Sequence, residues 1–168
     1  MSDQVEWAVH CCTVLATLGQ DQALPAARLA EFHDVPPAYL AKALQSLTAA
    51  GVTESRPGPQ GGYRLARPPA QVTLLDVVLA VDGDDRAFQC SEIRRRGPAA
   101  ADADSASYGR PCGIARAMWK AEDAWRAELA SVSIGDIVGE LLVTVAPAQL
   151  MKGAEWVQSV HVSRRKRP

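Results

Sequence analysis

Between Leu24 and Arg67 the sequence leaves few folds open. Pro25-Ala-Ala-Arg-Leu-Ala-Glu-Phe-His33 reads as a short helix, with proline in the first turn, where its missing N–H costs nothing. Asp34-Val-Pro-Pro37 ends it, because residues before proline avoid the α region. From Pro37 to Ala50, Leu40, Ala43, Leu44 and Leu47 recur at helical spacing, and Gly51 supplies a residue that accepts φ > 0 as the stop. Val52–Arg56 and Gly62–Ala66 read as two short strands around Pro57-Gly-Pro-Gln-Gly61, which reads as an exposed turn. Helix, turn, helix and hairpin in that order predict a winged helix-turn-helix. Its second helix fits a DNA major groove and its wing lies along the backbone or in the minor groove.

Charge agrees with that reading. Residues 36–69 carry Lys42, Arg56, Arg64 and Arg67 against Glu54, a local +3 on a chain of net −1. Local positive charge is what phosphate contact requires. Tyr39, Lys42 and Gln45 on the second helix, with Arg56, Gln60 and Arg64 on the hairpin, are the DNA-contact candidates. A ring packed on the turn is the structural alternative for Tyr39. A wing used only for protein contact would be apolar at its tip, and this one is not. His33, at a helix C-terminus, is where a cation suits the dipole; it is assigned no site role.

At 168 residues, 48% of them hydrophobic, the chain has one ordinary domain or a small domain plus an extension. Few strand signals make the fold mainly α. The expected segments are a DNA-binding domain at 1–83, a cysteine-containing loop at 84–112, dimerisation helices at 113–146 and a C-terminal extension at 147–168. No apolar run reaches membrane-spanning length, and the acidic start, Asp3 and Glu6, does not resemble a signal peptide. A cytosolic protein is expected, in which four cysteines serve as thiols or metal ligands rather than disulfides. No Ser–His–Asp, phosphate-loop or paired-carboxylate pattern points to an enzyme.

Val5–Leu18 reads as a helix apolar nearly all round, with a polar stripe of Glu6, His10, Thr13 and Thr17. Glu6 and His10 stand one turn apart, as a surface pair or as two metal ligands. Cys11 and Cys12 read as small buried hydrophobes. Val72–Val81 is a further helix, with Thr73 and Asp76 at capping-box spacing. Phe88–Gly109 is long and irregular, holds Cys90 and Arg94-Arg-Arg96, and ends just before Cys112. Cys90 and Cys112 are either isolated thiols or two ends of one site. Ile114–Ser131 carries a stripe of Ile114, Ala117, Met118, Ala121, Trp125 and Leu129. A two-fold dimer would bury it; so would the first helix of the same chain. Ser133–Val145 is a short helix. Beyond Pro147 periodicity fades, and Arg164-Arg-Lys-Arg167 reads as a disordered basic tail.

Tyr39-Leu40, Gly61-Gly-Tyr-Arg-Leu-Ala-Arg67 and Val72-Thr-Leu-Leu-Asp-Val-Val78, with Cys90 and Pro111-Cys112 before a long helix, resemble the Rrf-two family of bacterial winged-helix regulators over about residues 3–145. The resemblance implies a dimeric operator-binding regulator. Iron–sulfur members usually carry three cysteines in the loop, and this sequence has two. Val5-Glu-Trp-Ala-Val-His-Cys-Cys12 and Ile114-Ala-Arg-Ala-Met118 are similar to redox regulators of the family. That similarity implies a [2Fe–2S] cluster held by Cys90 and Cys112 of one subunit and by Glu6 and His10 of the other, with Trp7 as the side chain that repacks. A Cys90/Cys112 thiol–disulfide switch, a zinc site at the same residues and a protein adaptor are the competing readings.

Overall fold

The computed structural model describes residues 2–19, 21–58, 61–98, 100, 102 and 106–165, the last five as backbone only. Its elements run α1 (Asp3–Ala16), α2 (Ala26–His33), α3 (Pro37–Ala49), β1 (Thr53–Arg56), β2 (Gly62–Leu65), α4 (Leu74–Asp82), α5 (Gly113–Ser131), α6 (Ile134–Thr144) and α7 (Pro147–Arg165). Short 3₁₀ turns cover Pro69–Gln71, Ile93–Arg95 and Ala106–Tyr108. The chain forms two compact units, one of residues 1–83 with 129–168 and the other of residues 84–128.

The first unit is a winged helix-turn-helix. Leu40, Ala43, Leu44 and Leu47 give α3 a fully buried face against α1 and α2. Each buried leucine removes enough apolar surface from water to contribute about 1.5–3 kcal/mol. Asp34, in the left-handed region at φ 51°, makes the turn between α2 and α3, where the Val35 N–H donates to the Ala30 carbonyl at 3.0 Å. Gly51, at φ 69°, closes α3 as its position predicts. The hairpin pairs β1 with β2 antiparallel, Glu54 opposite Arg64 and Arg56 opposite Gly62. Tyr63 also exchanges two backbone hydrogen bonds with Leu24, at 3.0 and 2.7 Å, which ties the wing to the entry of α2.

Local chemistry places the next helices. Thr73 Oγ1 accepts the Asp76 N–H at 3.1 Å and the Asp76 carboxylate accepts the Thr73 N–H at 2.9 Å, a complete capping box for α4. Ser133 and Asp136 repeat it at α6, at the same two distances. The two helix starts are bridged, with Leu74 N–H donating to Val132 at 2.9 Å and Ile134 N–H to Val72 at 2.7 Å. This bridge lays α6 against α1 and the 3₁₀ turn at Pro69–Gln71, where a Cβ on Gly135 would stand 3.1 Å from the Ala70 nitrogen.

Two expectations change in this unit. Thr13 belongs to the polar stripe of α1 by spacing but is buried, its hydroxyl turned back to the His10 carbonyl at 2.8 Å. A hydroxyl that satisfies itself on its own helix can be buried at small cost. The chain from Pro147 is also helical as far as it is described: α7 runs to Arg165. Val157 and Val160 enter the core, the Trp156 ring stands edge-on to Phe32 at 5.1 Å, and Gly153 passes close to Phe32. The apolar positions 150, 153, 156, 157 and 160 do share one helical face, but polar residues between them dilute the pattern. Arg164 and Arg165 therefore continue a helix, while Lys166 and Arg167 lie outside the described residues.

In the second unit, residues 84–88 are fastened along α5. Arg126 pairs with Asp84 and, at 3.0 Å, with Glu122; Arg86 pairs with Asp123 at 2.8 Å; Trp119 Nε1–H donates to the Phe88 carbonyl at 3.1 Å. Among the described residues no helix is long and apolar enough to cross a membrane.

Candidate DNA-reading surface and thiol centre

Tyr39, Lys42 and Gln45 lie on the first turns of α3 with exposed side chains, Tyr39 at 58%. The apolar positions of α3 face the core, so these three face out. On the wing, Arg56 and Arg64 are partly buried and share Glu54; Arg64 is in direct contact with it, Arg56 lies 3.6 Å from it and 3.9 Å from Asp21. The guanidinium of Arg64 holds the Glu54 carboxyl below its ordinary range. Arg67 lies 3.3 Å from Asp76. The local positive charge is thus partly spent inside the wing, which sequence counting misses. Gln60 lies outside the described residues. Exposed ion pairs of this kind are weak, so wing arginines can exchange carboxylate for phosphate.

Lys42→Ala is expected to weaken duplex binding similarly on any sequence and to lower the slope of log affinity against log salt by about 1, as loss of one phosphate contact does. Titrations at three salt concentrations check this; an unchanged slope removes Lys42 from the contact set.

α1 runs behind this surface. Glu6 and His10 are exposed one turn apart, and Trp7 between them is half-buried with its ring edge-on to Tyr39, 6.4 Å between centroids. Beside the exposed carboxylate–imidazole pair, an aromatic contact thus adds to the core packing that joins α1 to the reading helix. Cys11 and Cys12 are fully buried; burial pushes the Cys11 thiol up to about 12 and the Cys12 thiol higher still. Both act as hydrophobes, in line with the reading from sequence.

His33 is corrected. Its ring packs on His10, 5.6 Å between centroids, and its Nε2 is buried without a hydrogen-bond partner. Burial first, then the neighbouring His10, lower its pKa, against a smaller opposing effect of a hydrogen bond to the His10 backbone. Burial disfavours its charged form, so it is a poorer helix-capping cation than its position suggests. A lowered folded pKa means protonation favours the unfolded chain. The stability this ring preserves is complete above its unfolded pKa of about 6.5 and is lost as pH falls through the lower folded value. Urea midpoints at about pH 7.5 and about pH 5.5 should fall further for the native chain than for His33→Gln; equal losses would refute this.

Cys90 and Cys112 meet. They are 22 positions apart in sequence, yet Cys90 lies close enough to Cys112 to help lower its thiol pKa. Cys112 precedes α5, where its sulfur accepts the Ala115 N–H at 3.3 Å. That backbone bond chiefly, with the Ile114 N–H, the Arg94 charge and Cys90 beside it, lowers the Cys112 thiol pKa despite some desolvation. A thiol at a helix N-terminus is activated in this way. The loop around them, irregular by sequence, is organised by Arg94. Its guanidinium takes Glu92 at 2.5 and 2.7 Å and donates to the carbonyls of Ser107 at 2.8 Å and Arg110 at 3.1 Å. Arg94 was legible only as part of a basic run; Glu92 two residues before it is the signal that was available.

Two thiols side by side fit half of the donor set of a [2Fe–2S] cluster, which takes four ligands. Among the described residues no three His, Cys, Asp or Glu side chains of one chain gather as a metal group. Among the described residues, the two cysteines are thus half of such a site, and further donors would have to come from elsewhere. Ile114, Met118 and Trp125 remain exposed along α5, at 70, 46 and 42%.

An exposed reading helix on an apolar base, with a glycine-tipped basic wing, is the DNA-binding module of a transcriptional regulator. The chain belongs to the Rrf2 family, described as iron-dependent transcriptional regulators, whose profile it matches over residues 1–140. It is 31% identical over 161 residues to YwgB of Bacillus subtilis, classed as an HTH-type transcriptional regulator, covering 94% of both chains. It is 28% identical to the HTH-type regulator Rv1287 of Mycobacterium tuberculosis, covering 84% of this chain and 83% of that one. Its fold is similar to CymR, the global cysteine regulator of B. subtilis, at TM-score 0.64 and 19% identity, covering 83% and 96% of the two chains. It is similar too to IscR of T. potens, at TM-score 0.63 and 19% identity, covering 90% and 95%. The family is one of regulators and not of enzymes.

Proposed function

We propose that this chain is a redox-responsive operator-binding regulator that acts as a homodimer and holds a [2Fe–2S] cluster, similar to the redox regulator RsrR. Cys90 and Cys112 of one subunit would hold one side, with Glu6 and His10 of the partner subunit supplying the remaining donors. The observation that carries this reading is the nearness of Cys90 to Cys112 beside the N-terminus of α5, where the Ala115 N–H lowers the Cys112 thiol pKa. The exposed α5 stripe supports the dimer, because a second copy is what would cover it. When bound, the cluster supplies a one-electron change of charge at Glu6 and His10. The chain's own part is transmission. Trp7 follows Glu6 and touches Tyr39 on the reading helix, so a shift of α1 at Glu6 and His10 displaces α3.

A spectrum of protein purified without oxygen, before and after dithionite, with iron and sulfide assays, tests the reading. Visible bands that bleach on reduction, with equal iron and sulfide, support it. A colourless, iron-free protein overturns the cluster and leaves the second reading. The same nearness of Cys90 to Cys112 favours that one: a thiol–disulfide switch, in which the two thiols pass two electrons and two protons to a small-molecule disulfide, releasing two small thiols and leaving a Cys90–Cys112 bond. It predicts DNA binding that responds to oxidised glutathione without colour.

A further inference from the structure

The second unit contains a side chain whose contacts are arranged around the two thiols without being one of them. Arg94 pairs bidentately with Glu92, two residues after Cys90, and donates to the carbonyl of Arg110, two residues before Cys112. A third arm reaches the Ser107 carbonyl at 2.8 Å. The contacts are reciprocal, since the Tyr108 hydroxyl donates to the Arg94 carbonyl at 3.0 Å and the ring of Tyr108 lies under the guanidinium at 5.6 Å. Glu92 itself sits in the left-handed region at φ 49°, a conformation that a non-glycine residue keeps only when its surroundings enforce it. An exposed ion pair alone would be worth little. This one is a planar fork with donors to two main-chain carbonyls, a geometry that lysine cannot reproduce.

We propose that Arg94 is the positioning residue of the two-thiol centre: its fork ties the strand of chain after Cys90 to the chain before Cys112 and so holds the two sulfurs at one point. This rests on the reading that Cys90 and Cys112 form the sensing centre, but not on what that centre binds. The clasp is needed because the connecting chain between the two cysteines is long and closes at an entropic cost.

The test uses the full-length, iron-free, reduced protein and phenylarsine oxide. This reagent condenses with two neighbouring thiols, forming two arsenic–sulfur bonds and releasing one water, with no oxidation. The native chain is expected to take up one arsenical across Cys90 and Cys112. Arg94→Gln is expected to bridge at least about tenfold more slowly, because ring closure depends on proximity. Arg94→Lys keeps the charge and loses the fork, and is expected to be equally slow. Helix content by circular dichroism, and protection of buried Cys11 and Cys12 from iodoacetamide, check that each variant is folded. If Arg94→Gln bridges at the native rate, the proposal is wrong. Full recovery with Arg94→Lys would also overturn it, since charge rather than the clasp would then be responsible. The cluster reading fails separately: a colourless native protein whose bridging still depends on Arg94 loses the cluster and keeps the clasp.

Discussion

Gly62→Ala will disrupt the wing and remove most of the protein's affinity for DNA. Gly62 has φ 142°, outside the range an alanine adopts comfortably, and a Cβ there would stand 2.4 Å from the Leu24 carbonyl carbon and oxygen. Those atoms belong to the backbone pairing between Tyr63 and Leu24, so they cannot move aside without breaking it. Strain and overlap together should cost about 3 kcal/mol or more. For a chain of this size that lowers the melting temperature by roughly 6–12 °C. Gly58→Ala is the control. Gly58 also has positive φ, at 95°, but open space around its Cβ, so it should lose only about 1 kcal/mol. Thermal melts and duplex titrations of both variants check the pair; a Gly62→Ala protein as stable as Gly58→Ala would show that the wing is not held at Leu24.

Cys112→Ala will abolish the response of DNA binding to oxidation state while leaving the fold intact. The sulfur is half-exposed and its removal opens no core cavity, whereas Cys11→Ala would remove a fully buried side chain. A response worth about 1–2 kcal/mol corresponds to roughly a tenfold change in operator affinity between the oxidised and reduced protein. In Cys112→Ala that ratio should fall to about one. Cys90→Ala should do the same, and the double variant should be no worse than either, because the two sulfurs act as one unit. Cys11→Ala should show the opposite profile, lower stability with the ratio retained. Titrations of each variant after reduction and after oxidation decide the matter: a full response in Cys112→Ala removes both the cluster and the disulfide reading.

The two outcomes concern different parts of one chain. The wing is built from contacts within the first unit, whereas the thiol pair belongs to the second. Within the first unit, α1 meets the reading helix where the Trp7 ring stands edge-on to Tyr39. If the proposed transmission is right, Trp7→Ala is expected to lower the redox response while leaving the DNA-contact side chains of α3 in place.

What the sequence by itself determined was local. Apolar spacing located α1 to α6 within a few residues, the Thr73–Asp76 and Ser133–Asp136 pairs marked two helix starts, and Gly51 marked a helix end. These signals work because a helix face, a cap and a left-handed residue depend on neighbours within four positions. The DNA-binding class was legible for the same reason, since helix, turn, helix and hairpin are consecutive. What depends on distant partners was decided only in three dimensions. The His33 pKa was lowered by burial and by His10 on the first helix. The wing arginines met Glu54 and Asp21 rather than solvent alone. α7 became a core helix because Phe32 offered Trp156 and Gly153 a surface to pack on. Cys90 and Cys112 lie near each other in a loop where Arg94 reaches a carbonyl sixteen positions away. No periodicity encodes such contacts, because their free energy appears only after the intervening loop has paid its closure entropy and the fold has brought the partners within reach.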